Sequence, residues 1–148
     1  MAATEHFHTV GRRLLNQIFN GSTSKPATLY LGLRQLDGVS GHPSDATDAD
    51  TLTSNLQEVS TSGTGYARIA VTFNNTNMPE TLSGANSILT FAVQQFNFTG
   101  TVTGITHAFI ASTSDNTGVL IASAPMSVTR NVANGDQINE TFTFTMSG

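Results

Sequence analysis

The chain reads as an all-β protein, an antiparallel β-sandwich of jelly-roll type with one short N-terminal helix and a long loop or arm. Three observations predict this class. Apolar residues recur at every second position in stretches bounded by Gly, Asn and Asp; no βαβ alternation is present; and helical spacing occurs once, near the start. At 148 residues the chain can hold one two-layer core and is too short for two. The expected organisation is an arm and helix over residues 1–24, then a sandwich over 25–148 with a loop insertion at 34–65.

Taken in order, Val10, Leu14, Leu15, Ile18 and Phe19 fall at helical spacing between Thr9, placed to cap the start, and Asn20-Gly21, placed to end the helix. A polar connector, Ser22 to Lys25, leads to Pro26. Leu29, Leu31 and Leu33 then share one face of a half-buried strand, the period-two pattern of a pleated chain. Residues 34–65 carry Gly38, Gly41, Pro43 and four carboxylates between Asp45 and Glu58, with sparse apolar positions at Val39, Leu52, Leu56 and Val59. A segment of that length repays its ordering entropy only when something covers it.

Strand periodicity returns in Tyr66 to Asn74, with Ala67, Ile69, Val71 and Phe73 expected inward and Tyr66, Arg68 and Thr72 outward. Further strands are expected at Ser87–Val93, Phe96–Thr99, Gly104–Ser112, Val119–Ala124 and Met126–Arg130. Asn134-Gly135-Asp136 has the chemistry of a turn between antiparallel strands. A last strand, Gln137 to Met146, turns Ile138, Phe142, Phe144 and Met146 inward.

Composition bounds function. Charged residues make up 11% of the chain, against about a quarter in an average soluble protein, and 23 Thr, 14 Ser and 12 Asn take their place. Hydroxyl and amide surfaces neither repel a neighbouring copy nor cost as much as charges to desolvate, which suits close packing against other subunits. The net charge of −4 and six scattered Lys and Arg argue against a nucleic-acid face. With no cysteine there is no disulfide, thiolate metal site or Cys nucleophile. The start of the chain lacks a basic segment followed by an apolar run, and no stretch reaches the roughly 20 apolar residues of a membrane span. Synthesis in the cytoplasm, with no membrane partner, is the expectation.

No catalytic set converges. His6-Phe7-His8 places two imidazoles on one side of an extended segment, where solvated rings are expected in preference to a metal site. Asp45-Ala46-Thr47-Asp48-Ala49-Asp50 lacks the Gly turn and distal Glu of a calcium loop. His107, expected on one face with Ile105 and Phe109, reads as a hydrogen-bonded structural residue. Glu58, Glu80, Asp136 and Glu140 show no pattern linking them into a hydrolytic pair. No catalytic residue, cofactor, metal or small-molecule substrate is therefore expected. A carbohydrate-binding module is disfavoured by the absence of Trp and by only two Tyr, since sugar sites usually stack an aromatic plate on the ring.

Lys25-Pro26-Ala27-Thr28-Leu29-Tyr30-Leu31-Gly32-Leu33, then Gly65-Tyr66-Ala67-Arg68, then Gly100-Thr101-Val102-Thr103-Gly104-Ile105-Thr106-His107, then Gly118-Val119-Leu120-Ile121-Ala122 and Asn134-Gly135-Asp136-Gln137-Ile138 come in the order seen in a family of small tailed-phage virion proteins. The chain resembles that family from about Thr9 onward and departs from it mainly in a longer 34–65 segment. The resemblance implies a non-enzymatic β-sandwich component of a phage particle, either a capsid cement or decoration protein or a tail component such as an adaptor, minor tail or tail-fibre protein. The leading expectation is cement on the outer capsid, bridging copies of the major capsid protein as a dimer or trimer of itself. The residues expected to touch partners are Val10, Leu14, Ile18 and Phe19 of the helix and Val39, Leu52, Leu56 and Val59 of the long segment.

Overall fold

A computed structural model describes residues 6–35, 52 and 56–146. Its elements run β1 (His6–Phe7), α1 (Thr9–Phe19), β2 (Thr28–Gln35), β3 (Ile69–Thr72), β4 (Glu80–Ser83), β5 (Asn86–Thr90), β6 (Gln94–Asn97), β7 (Val102–Ala111), β8 (Leu120–Val132), β9 (Gln137–Glu140) and β10 (Thr143–Met146). Every strand pair is antiparallel. A five-stranded sheet in the order β1-β8-β7-β2-β3 forms one layer, and a three-stranded sheet, β10-β5-β4, and a two-stranded one, β6-β9, supply the other. The all-β antiparallel sandwich expected from periodicity is what the chain builds.

One core lies between the layers. Leu29, Leu31 and Leu33 of β2 and Ile110 of β7 meet Phe96, Ile138, Phe142 and Phe144 from the smaller sheets. At its centre the rings of Phe91, Phe142 and Phe144 pack edge to face, with centroids 5.2–6.1 Å apart. Phe7 stacks on Phe144 at 4.8 Å, which ties the start of the chain to its end.

A second apolar cluster covers the back of the large sheet. Phe109, Ala111 and Leu120 point away from the main core and are capped by Leu52 and Leu56, with Tyr30 packed alongside. His107 and Phe109 share this side, whereas Ile105 belongs to the main core, because the β7–β8 register shifts between Ile105 and His107 and reverses the alternation. The single face expected for Ile105, His107 and Phe109 is therefore two.

Other departures have equally local causes. The expected Tyr66 to Asn74 strand shrinks to Ile69–Thr72, with Tyr66 buried and Ala67 exposed, the reverse of the alternation. Residues 65–68 precede the β2–β3 ladder, which begins at Ile69, so the alternation of the strand does not extend back to Tyr66. The two strands expected on either side of Pro125 are one, β8. Pro125 lies opposite His107, beside the point where the β7–β8 register shifts, an irregularity of the kind at which proline is found in strands. Gln137 to Met146 is two strands that belong to different sheets, and Met146 is 61% exposed.

The N-cap position of α1 is His8, which makes no side-chain capping bond, and not Thr9, whose hydroxyl accepts a bond from Arg12 Nη2. The helix lies on β8. A Cβ on Gly11 would come within 2.2 Å of the Ile121 carbonyl oxygen, so only glycine permits this approach.

Candidate functional site

Three features could carry function: the polar hub around Arg68, the helix α1, and the uncovered apolar positions of the smaller sheets.

The hub is built by the Gly65-Tyr66-Ala67-Arg68 motif. Arg68 makes a two-pronged ion pair with Glu58, Nε to Oε1 at 2.8 Å and Nη2 to Oε2 at 2.6 Å. Its remaining donors reach the carbonyl oxygens of Thr113 and Asp115 and, at 2.8 Å, Asn116 Oδ1. The guanidinium also lies over the Phe109 ring, 5.3 Å from its centroid. One side chain thus holds together the end of the long segment, the start of β3 and the β7–β8 loop. That loop is closed further by Asp115, whose carboxyl is held below its usual range by hydrogen bonds from the Thr117 hydroxyl and backbone.

Tyr66 is the second arm of the hub. Its hydroxyl donates to Glu58 Oε1 at 2.8 Å and accepts from the Leu33 backbone N–H at 2.9 Å, while its ring stacks on Phe96. Gly32 leaves the room. A Cβ there would lie 2.2 Å from Phe109 Cζ and 2.8 Å from the Tyr66 hydroxyl oxygen. The motif residues Gly32, Tyr66 and Arg68 thus belong to one packing arrangement around Phe109 and Glu58.

Burial, reinforced by the Glu58 carboxylate, raises the Tyr66 phenol well above its ordinary value of 10.0. A group whose folded value is raised contributes full stability below its unfolded value and loses it as pH climbs past that value. The chain is therefore expected to lose stability above pH 10 more steeply than Tyr66→Phe does. Urea unfolding at a series of alkaline pH values checks this, and equal slopes for the two proteins would refute it.

Of the residues expected to touch partners, Leu52, Leu56 and Val59 are 3%, 4% and 1% exposed and are covered by the chain's own sheets. Segment 56–59 runs beside the end of β2, with Val59 N–H donating to Leu33 O and Gln35 N–H to Gln57 O. The apolar positions of the long segment that can be placed are thus core positions, and their side chains offer no surface to a partner. Val39 lies outside the described residues, as does the acidic run Asp45–Asp50. On the helix, Val10, Leu14 and Ile18 are partly buried, Leu14 against the main core, and Phe19 is 81% exposed.

His8 is fully buried, its Nε2 3.0 Å from Ser123 Oγ, so it is not the solvated ring expected of a terminal histidine. His107 is buried too, with Nδ1 2.9 Å from Thr106 Oγ1, in keeping with a structural role. Among the described residues no group of three or more His, Asp or Glu could hold a metal ion, and no helix is long and apolar enough to cross a membrane.

Periodicity gave no hint of the uncovered positions on the second layer. Leu82 and Met146 are 79% and 61% exposed, and the register places both across from Ser87 on one face of the three-stranded sheet. They continue the line of Leu89 and Phe144, one step beyond the edge of the core. β4 forms the outer edge of that sheet, and all four of its residues are exposed. Open edges of this kind are a ready surface for association.

No curated protein matches the chain. A family model described as "Podophage GP4 fiber I protein gp80" matches residues 7–145, which takes in every strand and the helix, apart from the outermost residue at each end. The match spans nearly the whole chain and includes the hub, its glycines and both apolar clusters, so this protein belongs to the podophage GP4 fiber I protein gp80 family of phage structural proteins.

Proposed function

We propose that the protein is a non-enzymatic building block of a phage tail fibre, held in place by contacts with copies of itself and with a neighbouring virion protein. The observation that carries this reading is the family match, whose description names a fibre protein. Of the two virion positions expected from sequence, capsid surface and tail, that description favours the tail. The side chains fit the same reading: the most elaborate polar cluster, around Arg68, is spent on holding loops together.

Attachment is assigned to α1 through Phe19 and to the open second-layer sheet through Leu82 and Met146. These are large apolar side chains that the chain itself leaves uncovered. Weak contacts of this kind become durable when several copies engage at once, because each bound copy raises the effective concentration of the next contact.

Phe19→Ser tests the helix. At 81% exposure its removal is expected to leave the melting temperature nearly unchanged, while the variant competes poorly with wild-type chain for incorporation into particles. Incorporation equal to wild type, at unchanged stability, would show that α1 makes no such contact.

A further inference from the structure

The sequence contains two Asn-Gly pairs, Asn20-Gly21 and Asn134-Gly135. Such pairs are the most prone to spontaneous deamidation, because glycine places no side chain in the way of ring closure. In that reaction the backbone nitrogen of the glycine attacks Cγ of the asparagine and expels ammonia. Water then opens the resulting succinimide to aspartate or isoaspartate. The nitrogen must lose its proton and the side chain must swing over it, so a hydrogen bond that holds the glycine N–H slows the step.

The fold treats the two pairs differently. Gly135 N–H donates to Phe98 O at 2.8 Å, and Asp136 O accepts in return from Phe98 N–H at 3.0 Å, which anchors the turn to the chain just beyond β6. Inside the turn Asp136 N–H donates to Ala133 O, and Asp136 Oδ2 accepts from Ala133 N–H at 2.8 Å. Four bonds therefore restrain the Asn134-Gly135 peptide.

Asn20-Gly21 lies at the open end of α1. Gly21 N–H has a 3.2 Å bond to Ile18 O and Asn20 Oδ1 accepts from Ser22 N–H at 3.0 Å, but both bonds lie at the last helical turn, the part of a helix that frays. The residues of both pairs are exposed and nothing lies within 4 Å of where a Cβ on Gly21 or Gly135 would be, so a succinimide ring has room at either site and the difference lies in the bonds that hold them.

We propose that Asn20 is a deamidation site of the folded protein and that the turn bonds protect Asn134. The product carries a new carboxylate at the C-terminal end of α1, where the helix dipole disfavours negative charge, one residue from the exposed Phe19. A particle protein that is not renewed would accumulate this change at the end of its helix. The chemistry does not depend on the role assigned to Phe19.

Incubation of the full chain in mildly alkaline buffer, followed by peptide mapping with fragment-ion localisation, reads both sites. In the folded protein Asn20 is expected to convert at least about tenfold faster than Asn134, reflecting the cost of opening the turn. In urea the two rates should approach one another, and Asp136→Ala, which removes the carboxylate that accepts from Ala133, should speed Asn134 in the folded chain. Equal native rates would overturn the proposal, as would a difference that persists undiminished in urea.

Discussion

Replacing Arg68 with methionine is expected to destabilise the protein by about 3–5 kcal/mol, the range for breaking a buried ion pair by removing one partner. The side chain of Arg68 is 4% exposed and that of Glu58 20%, so the carboxylate left behind remains largely dehydrated. The variant also frees the carbonyl oxygens of Thr113 and Asp115 and unties Asn116, which should loosen the β7–β8 loop. Denaturant titration measures the loss, and hydrogen exchange locates it. If Arg68→Met is combined with Glu58→Leu, the double variant should lose less than the sum of the single losses, with a coupling of about 0.5–3 kcal/mol. Strict additivity would mean that the pair contributes packing and not electrostatics.

Phe144→Ala is the second large effect, expected at about 3–5 kcal/mol. Phe144 is 8% exposed and touches the rings of Phe7, Phe91 and Phe142, so truncation opens a cavity among rigid aromatic neighbours that cannot easily collapse into it. Because Phe7 immediately precedes His8, the N-cap position of α1, loss of the Phe7–Phe144 stack should also loosen the N-terminal arm. A loss under about 1 kcal/mol would place this ring at the surface, outside the range for buried Phe.

The two predictions differ in how far the sequence foretold them. Phe144 sits in a period-two run, and Phe142 and Phe144 were legible as core residues from spacing alone, as were Leu29, Leu31 and Leu33. Periodicity works where a strand keeps one register. It failed at Tyr66, which lies ahead of the β2–β3 ladder, and between Ile105 and His107, where a shift in the β7–β8 register moves the chain to the other face. It failed as well at Met146, which alternates correctly but lies past the end of the core.

The hub was not legible. Arg68 and Glu58 are ten positions apart, and nothing in their spacing announces a pair; Tyr66 and Arg68 were expected outward, facing solvent. The one available signal was the run Gly65-Tyr66-Ala67-Arg68 inside the resemblance, which marked these residues without saying what they do. The long segment misled in a similar way. Sparse apolar residues in a polar stretch read as contacts for another protein, whereas Leu52 and Leu56 cover the back of the chain's own sheet. Sparse spacing cannot distinguish a partner's surface from the chain's own, because both require only an apolar side chain meeting an apolar face.

The central claim concerns position in the particle, and a density map of the intact virion tests it most directly. The account predicts a sandwich of this topology within the tail fibre, with Phe19 and the Leu82–Met146 face in contact with neighbouring chains. A map that shows the sandwich on the outer capsid shell, seated between major capsid subunits, would contradict the fibre assignment and restore the cement role.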